Sequence, residues 1–260
     1  MDSVPGRSAI LAVLVAAGCG FGLPGSPPER EAVVIRGHEQ SVYMYGPTQG
    51  DPVIVSSGDG GWIHLAPHVA EVLAAHGLLV VGFDARAYLS SFTSRESTLR
   101  PDEEPADYRV LAQFASKATG RKPILVGVSE GAGLSVLAAT DRDTKAAVKG
   151  VIALGLPNMN ELAWRWKDMS IYVTHRVPNE PGFRTEDIVN RVAPIPLAAI
   201  HSTHDEFVAV ADASRLLDRA GDPKRLWIVP ASDHRFSDNL KELDRQLLEA
   251  IAWVNEHSPR

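Results

Sequence analysis

Ile124-Leu125-Val126-Gly127-Val128-Ser129-Glu130-Gly131-Ala132-Gly133 is the stretch that decides the fold. The apolar run from Pro123 to Val128 reads as a short buried strand. It ends in Gly127-x-Ser129-x-Gly131, and an Ala-rich helical run from Ala132 to Thr140 follows at once. Strand, sharp turn and helix form the context that a G-x-S-x-G nucleophile elbow requires. A turn this tight leaves no room for side chains on either side of the serine, which accounts for both glycines. The serine itself is expected in strained backbone, with its Oγ lifted clear of the sheet edge. The helix behind it directs backbone N–H groups at a developing oxyanion.

Working outward, strands alternate with helices. Upstream, Ala32 to Arg36 and Ser41 to Tyr45 read as an antiparallel pair turning at Gly37-His38. Pro52 to Ser56 is a buried strand that runs into Ser57-Gly58-Asp59-Gly60-Gly61-Trp62. Leu65 to His76 has a helical apolar face of Val69, Val72 and Leu73, and Leu78 to Phe83 is another buried strand. Ala85 to Pro105 reads as a polar connection, followed by a helix from Ala106 to Lys117 with Asp102, Glu103 and Glu104 at its N-terminus. Downstream, Val148 to Leu154, Ile195 to His201 and Lys224 to Val229 read as strands, and Ala209 to Arg219 as a helix closed by Gly221. Leu240, Leu243, Leu247, Ile251 and Val254 form the apolar stripe of a C-terminal helix. Residues 157–194 break the rhythm and read either as a cap inserted over the site or as a long ordinary connection.

This alternation implies a mostly parallel sheet of about eight strands with helices on both faces, the α/β-hydrolase fold, to which a small cap insertion at 157–194 is added on the first of those two readings. The whole of 32–260 reads as one domain. The chain has 260 residues, 45% of them hydrophobic, enough for one sizeable core. Net charge is −6 and there is no Lys/Arg cluster, which argues against nucleic-acid binding. Cys19 is the single cysteine, so an intramolecular disulfide and a cysteine metal cluster are excluded.

Residues 1–19 read as an export signal, with Arg7 as the positive region and Ala9 to Ala17 as an apolar run too short to span a bilayer. Val15-Ala16-Ala17-Gly18-Cys19 is similar to a bacterial lipobox, with Ala16 where leucine is usual. Cys19 would then carry lipid and attach the protein to a membrane in the periplasm or cell envelope; cleavage nearby with Cys19 discarded is the alternative. Residues 20–31 read as a flexible linker. Within them Gly20-Phe21-Gly22-Leu23-Pro24-Gly25 fits a dinucleotide-binding string, but Pro24, Pro27 and Pro28 forbid the helix that must follow it.

A serine hydroxyl is a poor nucleophile until a base takes its proton, and the base needs an orienting acid. α/β-Hydrolases supply these in the chain order Ser, Asp or Glu, His. Here Ser129 stands at the elbow, Asp205 follows a late strand and His234 follows the last strand, each at a strand's carboxyl end. Glu206 is a rival acid beside Asp205. A metal site built on His201, His204 and Asp205 lacks a second ligand cluster, and no cofactor is required. The oxyanion donors are expected at the N–H of Glu130 and at Asp59 N–H, with Gly60 next. The Glu130 carboxylate either meets a cationic substrate group or faces solvent, with solvent preferred.

Ser57-Gly58-Asp59-Gly60-Gly61-Trp62, Val80-Val81-Gly82-Phe83-Asp84-Ala85-Arg86-Ala87-Tyr88, Gly127-Val128-Ser129-Glu130-Gly131-Ala132 and Asp233-His234-Arg235-Phe236 together resemble the bacterial VirJ/AcvB virulence-protein family, over roughly residues 50–240. The Gly-Asp-Gly-Gly-Trp piece is the most specific. The resemblance implies an exported hydrolase of a small-molecule or lipid ester, in some members the aminoacyl ester of phosphatidylglycerol. Two departures bear on substrate: Glu130 stands where an aromatic is common, and the stretch around Asp205 is closer to a dienelactone-hydrolase or general esterase tail. A non-catalytic envelope protein on the same scaffold is the rival reading, since a fold does not by itself fix a function.

Overall fold

The computed structural model describes residues 28–165 and 181–259. Its centre is an eight-stranded sheet in the order β1-β2-β4-β3-β5-β6-β9-β10. Strands β1 (Glu29–Ile35) and β2 (His38–Tyr45) form an antiparallel pair, and β2 lies antiparallel to β4 (Leu79–Phe83). From β4 onward every pairing is parallel, through β3 (Pro52–Ser56), β5 (Ile124–Val128), β6 (Gly150–Leu154), β9 (Leu197–Ser202) and β10 (Lys224–Val229).

The central strands are apolar on both sides because both sides are covered, as parallel sheets require. Their side chains alternate between two cores. Val53, Val55, Val126 and Ile152 meet α1 (Leu65–Ala75) and the C-terminal helix α8 (Leu240–His257), which contribute Leu73, Leu243 and Leu247. Ile54, Leu125, Val151 and Phe83 meet α2 (Ala85–Phe92), α3 (Glu104–Ser116) and α4 (Glu130–Ala138), which contribute Tyr88, Leu111 and Leu134. Fully burying each such aliphatic side chain stabilises by about 1.5–3 kcal/mol.

Some elements depart from the sequence reading. Strand β1 begins at Glu29, inside the expected linker, because its partner β2 extends the ladder to Met44. The expected polar connection 85–105 contains α2, whose start is fixed by Asp84: its carboxylate accepts from Ala87 N–H at 2.9 Å. A second short helix, α5 (Arg142–Ala147), is capped by Asp141 in the same way, accepting from Asp143 and Thr144 N–H at 3.0 and 2.9 Å. Helix α5 carries too few apolar residues to show a periodicity; α2 does show one, since Ala85, Tyr88, Leu89 and Phe92 fall at i, i+3, i+4 and i+7 and the first three are buried. The expectations for residues 1–19, including Cys19, and for 20–27 lie outside the described residues.

The described residues of 157–194 build a small subdomain around a two-stranded antiparallel sheet, β7 (Met159–Glu161) and β8 (Gly182–Arg184), followed by the short helix α6 (Thr185–Ile188) and a 3-10 turn (Val189–Arg191). It sits on α4. Gly133 makes that possible, since a Cβ there would lie 1.6 Å from Asn160 Oδ1. Asn160 donates to Thr185 Oγ1 at 2.8 Å and Thr185 donates to Pro157 O at 2.7 Å, tying hairpin to helix. Helix α7 (Val210–Arg219) follows β9.

Candidate active site

Ser129 follows β5 and precedes α4 with φ 52° and ψ −118°, a left-handed conformation that costs a serine about 1–3 kcal/mol. Its flanking glycines are required by contact. A Cβ on Gly127 would lie 2.2 Å from Gly131 O and 2.4 Å from Ala132 Cα, and one on Gly131 would lie 2.4 Å from Ser57 O. Ser129 N–H donates to Leu154 O at 2.8 Å, fixing the turn to the end of β6.

The loop after β3 runs alongside. A Cβ on Gly58 would lie 3.3 Å from Ser129 Cβ, a few tenths of an ångström tighter than an ordinary contact, so glycine eases this loop's approach to the nucleophile position. Gly61 N–H is spent on Gly58 O at 3.0 Å, closing a turn that holds Asp59 and Gly60 at its tip. Trp62 anchors the loop. Its indole N–H donates to Tyr45 OH at 3.1 Å, its ring stacks on Tyr43 at 4.9 Å, and its backbone N–H donates to Asp84 at 3.2 Å. The ring lies against Gly82, where a Cβ would come within 2.3 Å of it. Gly58, Asp59, Gly60, Ser129 and Glu130 share the wall of one cavity of about 890 Å³, and His234 lines it as well.

His234 lies between β10 and α8. Its Nδ1–H donates to Asp205 Oδ2 at 2.6 Å, which leaves Nε2 as the ring's acceptor. The Asp205 side chain is fully buried, and its other oxygen accepts from Phe207 and Val208 N–H at 2.9 and 2.8 Å. Burial pushes the carboxyl up, but the His234 bond, the imidazole's charge and the two backbone donors outweigh it and hold it below the usual aspartate value. His201 lies 3.7 Å from the same carboxylate, yet its Nε2–H donates to Val208 O at 2.7 Å. Glu206, the rival acid, accepts instead from the His234 backbone N–H at 2.7 Å. Gly155 backs the imidazole with φ 59°, and a Cβ there would lie 2.5 Å from His234 Cε1.

The structure therefore brings Ser129, Asp205, His234, Glu130, Asp59 and Gly60 to one end of the sheet. It corrects the preference for a solvent-facing Glu130. That side chain is buried, and its Oε1 accepts from Glu161 N–H at 2.8 Å, clasping the β7–β8 hairpin. Burial, reinforced by Glu161 and Asp59, pushes its carboxyl well above the ordinary glutamate value. The reason is the hairpin, whose position over α4 is not encoded in the elbow itself. Trp62, Gly82, Asp84 and Gly155 were not singled out individually as site residues. For Gly155 the available signal was a glycine directly after a strand. Met159 and Trp164, from the segment 157–194, line the cavity, whereas residues 166–180 of that segment lie outside the described residues. Among the described residues no group of three or more His, Cys, Asp or Glu side chains converges as a metal site.

Residues 51–254 match the family model described as bacterial virulence protein (VirJ). The chain belongs to the VirJ family. This VirJ-family chain is 26% identical over 209 residues to the uncharacterized protein Rv2307c of Mycobacterium tuberculosis, covering 78% of this chain and 68% of that one. Among solved structures it is similar to Est1E from Butyrivibrio proteoclasticus, with TM-score 0.64 and 15% identity over 89% of this chain and 100% of that one. The esterase domain of a Rhodothermus marinus protein superposes with TM-score 0.62 at 19% identity, covering 88% and 98%. A dienelactone hydrolase from Anabaena variabilis gives 0.59 at 18%, covering 90% and 100%. At these identities the likeness is one of fold, and that fold is the α/β-hydrolase fold.

Proposed function

We propose that the protein is a serine hydrolase of carboxylic esters. The observation that carries this is the 2.6 Å bond from His234 Nδ1–H to the buried Asp205 carboxylate, in one cavity with an elbow serine held at φ 52°. In this reading Ser129 Oγ attacks the ester carbonyl carbon as His234 Nε2 takes its proton. Asp205 holds the imidazole in the required tautomer and stabilises its positive charge. The carbonyl oxygen, now negative, accepts from the N–H groups of Glu130 and of Asp59 or Gly60. His234 returns the proton to the leaving alcohol, and water, activated by the same imidazole, then cleaves the acyl-enzyme. These steps need no metal or cofactor.

The solved neighbour named an esterase domain, from Rhodothermus marinus, supports the ester class. The family resemblance adds the aminoacyl ester of phosphatidylglycerol as one substrate to test. Export and attachment through Cys19 belong to the same proposal and rest on the sequence alone. The test is hydrolysis of a panel of short acyl esters and aminoacyl-phosphatidylglycerol by wild type and Ser129→Ala. Turnover lost at least about 1,000-fold in the variant, with unchanged circular dichroism, supports the proposal; removal of a triad serine costs up to about 10⁶-fold in kcat. Equal turnover by the two proteins overturns it.

A further inference from the structure

The cavity wall carries several arginines, and they differ in their partners. Arg184 is bonded to Glu186 at 2.6 Å, Arg215 pairs with Asp212, and Arg219 lies 3.9 Å from Glu186. Arg235 stands exposed on the rim, where an unpaired charge costs little. Arg86 is different. It is half-buried, and its guanidinium makes no hydrogen bond or ion pair with any carboxylate among the described residues. Asp84, two positions away, is occupied by the N–H groups of Trp62 and Ala87. Asp59 and Glu161 act on the buried Glu130 carboxyl.

Two contacts hold the Arg86 side chain in place. The guanidinium lies 5.4 Å from the Trp164 ring centroid. Its other side is laid across the oxyanion-side loop, where a Cβ on Gly61 would come within 2.9–3.0 Å of Nε, Cζ and Nη2. A glycine at φ 85° is what lets the cation approach that loop. A planar fork of donors, fixed between an aromatic ring and a glycine backbone and turned into the catalytic cavity, matches the geometry of a carboxylate or phosphate. Burying such a cation part-way without a partner costs free energy unless a ligand supplies the counter-charge.

We infer that Arg86 reads a negatively charged group, a carboxylate or a phosphate, on the ester that enters this cavity. The inference rests on the proposed ester hydrolysis for its substrate and deepens it: the site prefers anionic esters to neutral ones of the same size. Arg86 is a specificity-determining residue here, separate from the groups that act on the reacting carbonyl.

The test uses two matched substrate pairs. 4-Nitrophenyl hemisuccinate against 4-nitrophenyl butyrate places the charge on the acyl side. Butyryl-glycerol 3-phosphate against glyceryl monobutyrate places a phosphate on the alcohol side. Arg86→Met keeps the side-chain stem and removes the charge, while Arg86→Lys keeps the charge without the fork. The expected result is a fall of about 10- to 100-fold in the charged-to-neutral ratio of kcat/KM for at least one pair in Arg86→Met, with Arg86→Lys between the two. The pair that responds identifies which side of the ester bears the anion. A ratio unchanged in both pairs overturns the inference, as does an equal loss on charged and neutral members, which is what a purely structural role of Arg86 against Trp164 would give.

A second arm is independent of turnover. Succinate and glycerol 3-phosphate are titrated calorimetrically into Ser129→Ala and into the Ser129→Ala/Arg86→Met double variant. Binding of either anion that weakens at least tenfold in the double variant supports the inference even where no ester is hydrolysed, in which case only the hydrolase reading fails. No binding of either anion, alongside efficient turnover of neutral esters, overturns the inference and leaves the hydrolase reading standing.

Discussion

Asp205→Asn separates the two candidate acids and carries a large expected effect. In the native site the carboxylate accepts three hydrogen bonds, from His234 Nδ1–H at 2.6 Å and from the N–H groups of Phe207 and Val208 at 2.9 and 2.8 Å. An asparagine keeps its carbonyl oxygen on the two backbone donors. Its NH2 group then faces His234 Nδ1, which must become an acceptor. The ring proton moves to Nε2, and the imidazole can no longer accept the serine proton. His201 offers no relief, because its Nε2–H is committed to Val208 O. A wrong tautomer of this kind costs about 10,000-fold in kcat in triad enzymes, which is about 5.4 kcal/mol at about 1.36 kcal/mol per tenfold. Glu206→Gln is the control. That side chain is exposed and accepts only the His234 backbone N–H, which a glutamine oxygen can still accept, so the loss should stay within about tenfold. The assay is steady-state hydrolysis of an ester that the wild type turns over, with near-UV circular dichroism to check packing. A larger loss in Glu206→Gln than in Asp205→Asn, or less than about tenfold in the latter, would refute the assignment of Asp205.

Other perturbations follow from the same geometry. Ser129→Gly should abolish activity and raise Tm by about 2–4 °C, because relieving the φ 52° backbone outweighs the added chain entropy by about 1 kcal/mol; a lower Tm would show that the turn is not strained. Gly127→Ala should destabilise by about 1–3 kcal/mol or more and remove activity, since its Cβ meets backbone atoms at 2.2 and 2.4 Å that only a shift of α4 can clear; denaturant unfolding measures this. Glu104 is fully buried, neither carboxyl oxygen has a hydrogen-bond partner among the described residues, and burial with Asp107 nearby raises its pKa well above 4.5. The folded chain therefore keeps a proton that the unfolded chain releases above about pH 4.5, and unfolding becomes easier as pH rises. Glu104→Gln should gain stability relative to wild type by up to about 1.4 kcal/mol per pH unit above that point until the folded carboxyl ionises; a Tm difference independent of pH would contradict the burial argument.

The sequence made the parallel half of the fold legible because both-face burial leaves unbroken apolar runs. Pro52 to Ser56 is such a strand with the expected ends; Lys224 to Val229, at the sheet's edge and only partly buried, also has the expected ends, read from Leu226-Trp227-Ile228-Val229. The three triad candidates were legible for a related reason: each lies in the loop at a strand's carboxyl end, Ser129 directly after β5, Asp205 after β9 and His234 after β10. Less legible were features set by contacts between distant segments. Helix α5 depends on a single capping aspartate, Asp141, rather than on periodicity, whereas α2, capped by Asp84, carries a short apolar stripe of Ala85, Tyr88, Leu89 and Phe92 that its polar surroundings in the sequence obscure. The burial of Glu130 depends on Glu161 N–H, 31 residues away. Trp62 reads as part of a glycine-rich loop until Gly82 and Tyr45, from neighbouring strands, are seen to receive it. Arg86 is similar: alone it is one more charged residue on a short helix, and only the distant Trp164 and the loop at Gly61 turn it into a fixed cation in the cavity.

The central claim is that Ser129 is an activated nucleophile. Its most direct test is to treat residues 20–260 with a fluorophosphonate probe and locate the adduct by peptide mass spectrometry, with Ser129→Ala and His234→Ala alongside. The account predicts stoichiometric phosphonylation at Ser129, absent in Ser129→Ala and slowed by orders of magnitude in His234→Ala. Folded wild-type protein that stays unlabelled, or that is labelled at a different residue, would contradict it and shift the reading to a hydrolase scaffold used for binding.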